Sequence, residues 1–133
     1  MIFFTDENFI HKAAQMLKAF DDRHEVRPFM DCFARATPDE VWIPQVGAWD
    51  PKPVIVGGDG RILTNRVQRQ LLRESGCIYV HLASGWTNTP WETYAWKLIK
   101  YWPVVLKRTI AARHQTVLVL RTTGVIDRIN LAG

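Results

Sequence analysis

The chain has 133 residues, 47% of them hydrophobic, and a formal net charge of +4. That length makes one domain, residues 1–133, with a sizeable core. No apolar run approaches the ~20 residues that span a bilayer. The opening Met1-Ile2-Phe3-Phe4 is too short for a secretory leader and is followed at once by Asp6 and Glu7. No membrane partner and a cytoplasmic location are therefore expected. Cys32 and Cys77 lack metal-ligand spacing and read as free, mostly buried thiols. The charge is uneven: residues 1–59 carry six Lys/Arg against ten Asp/Glu, and residues 60–133 carry eleven against three. An acidic pocket beside a basic surface suits a metal-dependent enzyme acting on nucleic acid. The plain alternative is a surface charged for solubility.

In chain order, residues 2–5 predict a short buried strand. Residues 8–20 predict a helix, with Ile10, Ala13, Ala14 and Leu17 at helical spacing. Asp21-Asp22 ends it, and residues 24–29 predict a second strand. Thr37-Pro38-Asp39-Glu40 is a helix start, with threonine as cap and proline in the first turn. Pro44 and Gly47 should keep that helix short. A turn at Asp50-Pro51-Lys52-Pro53 leads into the strand Pro53-Val54-Ile55-Val56. Residues 62–74 predict a helix ended by Gly76, with Val67, Leu71 and Leu72 facing inward. Residues 77–82 predict a fourth strand. Thr89-Pro90-Trp91-Glu92 repeats the capping signal and opens a helix burying Trp91, Ala95, Leu98, Ile99 and Trp102. Pro103 kinks this helix or starts another over 104–113. Residues 116–120 predict a fifth strand, and residues 124–131 add an edge strand. The alternation implies an α/β fold, a mostly parallel central sheet with helices on both faces.

The acids carry the chemistry. Asp6-Glu7 closes the first strand, Asp39-Glu40 opens a helix, and Asp59 closes the third strand within Gly57-Gly58-Asp59-Gly60. Strand ends and helix starts share one edge of an open sheet, and ligands bind there. Three carboxylates meeting at that edge would repel unless a cation joined them, and hard oxygen donors suit Mg²⁺ or Mn²⁺. Ordinary structural roles compete with this reading. Asp6 and Asn8 are good helix caps, acids suit a first helical turn, and Asp-Gly favours a tight turn. Arg66, Arg69 and Arg73 share a helix face that Arg61 extends toward the acids. They suit phosphate-backbone contact or are simply a solvated face. Trp86, in a loop after the fourth strand, is a candidate for exposure and base stacking. No Gly-x-Gly-x-x-Gly follows the first strand and no P-loop is present. His11, His24, His81 and His114 lack zinc spacing and read as surface or satisfied residues.

Three segments together resemble PIN-like domains, particularly compact members that open with Asp-Glu-Asn. They are Phe3-Phe4-Thr5-Asp6-Glu7-Asn8-Phe9, Ala36-Thr37-Pro38-Asp39-Glu40-Val41 and Val54-Ile55-Val56-Gly57-Gly58-Asp59-Gly60. Trp102-Pro103 resembles a helix of some VapC-like members. The resemblance implies a three-layer sandwich and a Mg²⁺- or Mn²⁺-dependent endoribonuclease, often the toxin of a toxin–antitoxin pair. Its partners would be RNA, an antitoxin protein and a second copy of the chain. The family's acids fall on Asp6, Asp39 and Asp59, with Glu7 adjacent. The usual further acid is missing, with Asp31 as the stand-in, and the turn departs from the usual Thr-x-Asp. Two other readings stay open: a catalytically inactive interaction module on the same fold, and a phosphoacceptor signalling domain. The last requires a lysine where this chain has Arg121.

Overall fold

The computed structural model describes residues 1–131. A six-stranded sheet runs through it in the order β2-β1-β3-β4-β5-β6. The strands are β1 (Ile2–Thr5), β2 (Glu25–Pro28), β3 (Val54–Gly57), β4 (Tyr79–Leu82), β5 (Thr116–Leu120) and β6 (Ile126–Asn130). The first five are mutually parallel and β6 pairs antiparallel with β5. β1, β3, β4 and β5 are buried along their whole length, as parallel strands covered on both faces must be.

Alternate side chains enter opposite cores. Phe3, Val54, Val56, Val80 and Leu118 pack with α1 (His11–Phe20) and α6 (Trp91–Ala111). Phe4, Ile55, Tyr79, Val117 and Val119 pack on the other face. That face is covered by α2 (Phe29–Cys32), α3 (Asp39–Gly47), α4 (Arg61–Thr64) and α5 (Arg66–Ser75). The result is the expected α/β three-layer sandwich. From β1 the chain passes first to β2 on one side and then to β3 on the other. The strand order therefore reverses between β1 and β3, where open α/β sheets bind ligands.

Several elements differ from expectation. Helix α1 starts at His11, because Asp6-Glu7-Asn8 forms a turn first. Neither threonine caps a helix: Pro38 and Pro90 occupy the cap positions, and Thr37 and Thr89 donate instead to the Ala34 and Gly85 carbonyls. Pro44 and Pro103 both lie inside unbroken helices. Both are exposed, so the rings point away from the core. The helix expected over 62–74 is two helices. Asn65 breaks it and caps α5 by accepting from the Val67 and Gln68 N–H groups. The break resets the helical phase. Val67, expected inside, is 66% exposed, and Leu72 and Ser75 are the buried positions. In α6 Leu98 and Trp102 are buried as expected. Tyr94, Val105 and Leu106 join them, while Trp91, Ala95 and Ile99 are only half-buried. Cys77 is buried but Cys32 is exposed. Trp86 is 2% exposed and donates its indole N–H to the Leu120 carbonyl at 3.0 Å, so it offers no stacking surface.

Candidate acidic site

The switch between β1 and β3 brings the acids together. Asp6 follows β1, Asp59 follows β3, and Asp39 is the first residue of α3. Together with Glu7, Arg61 and Gln68 they line one cavity of about 290 Å³.

Asp6 is 3% exposed. Its Oδ1 accepts the Phe9 N–H at 3.0 Å in the turn before α1, and the expected helix-capping role falls away because Ile10 is the N-cap of α1. Its Oδ2 has no hydrogen-bond partner, and capping explains nothing about that atom. Burial first, and then the charges of Asp59 and Asp39, push the Asp6 carboxyl up to about 8 despite the Phe9 and Asn8 N–H groups. The carboxylate leans over Gly57, where a Cβ would lie 2.0 Å from Oδ2. Only glycine leaves that space open.

Asp59 is held differently. Arg61 donates from its backbone N–H at 3.0 Å, from Nε at 3.0 and 3.2 Å, and from Nη2 at 2.8 Å. The Asn8 amide adds a longer contact at 3.4 Å. Burial alone would raise the Asp59 carboxyl, but the Arg61 contacts outweigh it and hold it below the usual carboxylate range. Asp39 accepts the Trp42 indole N–H at 2.9 Å on Oδ1 and the Gln68 amide on Oδ2. Both Glu7 oxygens accept the Ala36 N–H, at 3.1 and 3.0 Å. Ala36 has a φ of 62°, so Glu7 ties down the strained turn that leads toward α3.

The remaining candidates lie apart. Asp31 is exposed and pairs with Lys18 at 3.5 Å on a different surface pocket, so it does not supply a further acid to this one. Arg61 alone of the four candidate arginines lines the cavity. Arg66 and Arg73 are exposed, while Arg69 is half-buried and donates to the Leu63 carbonyl at 3.2 Å. Arg121, at the end of β5, pairs with Asp127. No lysine lines the cavity among the described residues.

Sequence reasoning missed two residues. Tyr79 and His81 alternate along β4 onto the face that carries Asp6 and Gly57, and their rings stack at 5.9 Å. His81 is 8% exposed with Nδ1 unpartnered, so it is not a surface histidine and one ring nitrogen is unsatisfied. Burial pushes its pKa down, against the opposing charge of Asp59. The signal was present in the alternation of β4, which places these two residues on one face.

The donors are hard oxygens, and Asp6 Oδ2 is a buried oxygen with nothing to hold. Both suit Mg²⁺ or Mn²⁺, ions that take one or two carboxylates and keep waters or substrate phosphates. A complete protein cage is not formed. Among the described residues no three His, Cys, Asp or Glu side chains are grouped so that they could hold a metal ion. The expected shared ligation by Asp6, Asp39 and Asp59 is thus not preformed, because Asp39 and Asp59 are engaged by neutral donors and by Arg61.

A family model described as a PIN like domain matches residues 1–84. No curated protein and no solved structure matches the chain. The matched stretch contains every residue lining the acidic cavity. No helix among the described residues is long and apolar enough to cross a membrane.

Proposed function

The chain belongs to the PIN-like domain family, and on that premise we propose that it is a Mg²⁺- or Mn²⁺-dependent endoribonuclease. The observation that carries the proposal is the buried Asp6 carboxylate, with one oxygen unpartnered at the switch point of the sheet. Asp6 and Asp59 would hold the cation, and Asp39 would act from the cavity wall. A bound divalent cation supplies a water of lowered pKa and positive charge against the phosphate. As a ligand Asp6 would have to be ionised, so cation binding would be coupled to loss of the carboxyl proton below about pH 8. Arg61 exchanges Asp59 for the RNA phosphate, a pairing its guanidinium makes equally well. Glu7 keeps the Ala36 turn in place at the cavity rim. Arg66 and Arg73 remain free to meet the RNA backbone.

The proposal extends to the toxin role of a toxin–antitoxin pair acting in the cytoplasm, a setting common for PIN-like nucleases. It is supported by the family and by a basic second half suited to polyanions. The test is cleavage of single-stranded RNA by purified protein across a Mn²⁺ titration, with Asp6→Asn alongside. Metal-dependent cleavage that Asp6→Asn abolishes supports the nuclease, and cleavage surviving Asp6→Asn overturns it. Growth arrest on expression, relieved by a neighbouring small gene, tests the toxin role. A specific observation favours the second reading, an inactive interaction module: Arg61 already neutralises Asp59. Protein that neither binds Mn²⁺ nor cleaves RNA would favour that reading.

A further inference from the structure

Beneath the acidic cavity lies a row of buried polar atoms with unspent hydrogen-bonding capacity. Asp6 Oδ2, Tyr79 Oη and His81 Nδ1 are buried without a partner. Sheet register sets the row: Thr5 pairs with Val56, Ile55 with Tyr79, and Gly57 with His81. Asp6, one residue past β1, therefore lies beside Gly57. A Cβ on Gly57 would meet Asp6 Oδ2 at 2.0 Å and Tyr79 Oη at 2.7 Å. Both oxygens thus border the space a Gly57 side chain would fill, without bonding each other.

We propose that Tyr79 is a positioning residue, whose phenol O–H donates to the ionised Asp6 carboxylate and sets it toward a divalent cation in the acidic cavity. The inference rests on the metal-binding reading above and adds to it a residue that never touches the cation. Tyr79 is 0% exposed, so no bulk water competes for its proton. His81 stacks on the ring at an interplanar angle of 23° and limits its swing. The phenol O–H is a donor without an acceptor, and Asp6 Oδ2 is an acceptor without a donor. Outer partners of this kind orient metal-binding carboxylates, and losing one typically costs about 10–100-fold in metal affinity.

Tyr79→Phe removes one oxygen and keeps the ring, which makes the test specific. A phenol unpartnered in the cation-free protein carries an unrepaid desolvation cost. The variant should therefore melt, without cation, at the same temperature or higher. Its Mn²⁺ affinity, read by calorimetry, should fall about tenfold or more, and Asp6→Asn should lose Mn²⁺ binding altogether. A wild-type-like Mn²⁺ affinity in Tyr79→Phe overturns the role of Tyr79 and leaves the metal-binding reading standing. So does a lower cation-free melting temperature, since the phenol would then be a satisfied structural group. Wild-type protein that binds no Mn²⁺ overturns both.

Discussion

Asp6 has two oxygens in two different situations: one ends a turn on the Phe9 N–H and the other faces the cavity unpartnered. Its pH dependence follows from this. Its folded pKa, about 8, lies above the unfolded value near 3.8. The folded state therefore holds a proton that the unfolded chain has already lost, and stability falls as pH rises from about 4 to about 8 before levelling. Without cation, melting temperature should decline across that window in the wild type and less steeply in Asp6→Asn, which has nothing to ionise. Parallel curves for the two proteins would show that Asp6 does not titrate there. Gly57 supplies the complementary case. Its Cβ would sit 2.0 Å from Asp6 Oδ2, inside any real contact distance. Gly57→Ala should destabilise the fold by about 1–3 kcal/mol, as overpacking does, and should displace the carboxylate. Chemical denaturation together with Mn²⁺ titration checks both effects. An alanine variant of unchanged stability would mean that Asp6 moves aside freely.

Among the elements, the single helix expected over 62–74 shows where legibility ended. The buried runs of β1 and β5 were readable residue for residue, because unbroken apolar stretches between polar breaks leave a strand little latitude. Gly76, at φ 71°, ended α5 as a left-handed cap should. Asn65 looked like an ordinary polar residue within a helix, yet it caps a new one, and the phase of Val67 was lost with it. The acids were found because strand ends can be counted. Their partners were not, since nothing local pairs Asp39 with Gln68 or Asp59 with Arg61 rather than with a cation. The same break puts Arg61 in α4 and leaves Arg66, Arg69 and Arg73 together in α5. Arg66 and Arg73 are exposed, so each change to Ala should cost within about 0.5 kcal/mol. Arg69 bonds the Leu63 carbonyl across the break and should cost about 1 kcal/mol. If Arg66 and Arg73 meet the RNA backbone, each change should flatten the log–log salt dependence of binding by about 0.7. An unchanged slope would make them a solvated face.

For the whole molecule, the family match and the folding unit have different limits. The match stops at residue 84, at the end of β4 and the acidic site. The physical unit continues, because β4 lies inside the sheet and has β5 on its far side. One of the two cores takes Tyr94, Leu98, Trp102, Val105 and Leu106 from α6. Trp102 also donates its indole N–H to Asp21 at 3.0 Å, which ties α6 to the C-terminal end of α1. Burying a large apolar side chain is worth about 1.5–3 kcal/mol. Five such side chains are together worth about as much as the roughly 5–15 kcal/mol by which a whole domain is stable. A chain ending at residue 84 would also leave the backbone of β4 as an open, apolar edge. That shortened chain should therefore show no cooperative thermal transition by circular dichroism and should aggregate, although it holds every acid of the site. Within the full chain, Asp21→Ala leaves the buried Trp102 N–H without an acceptor and should cost about 1.5–3 kcal/mol, the range for hydrogen bonds to charged groups. A residue 1–84 fragment that melts cooperatively and binds Mn²⁺ would show that the site and its fold are complete without α6, and the dependence argued from the shared core would be wrong.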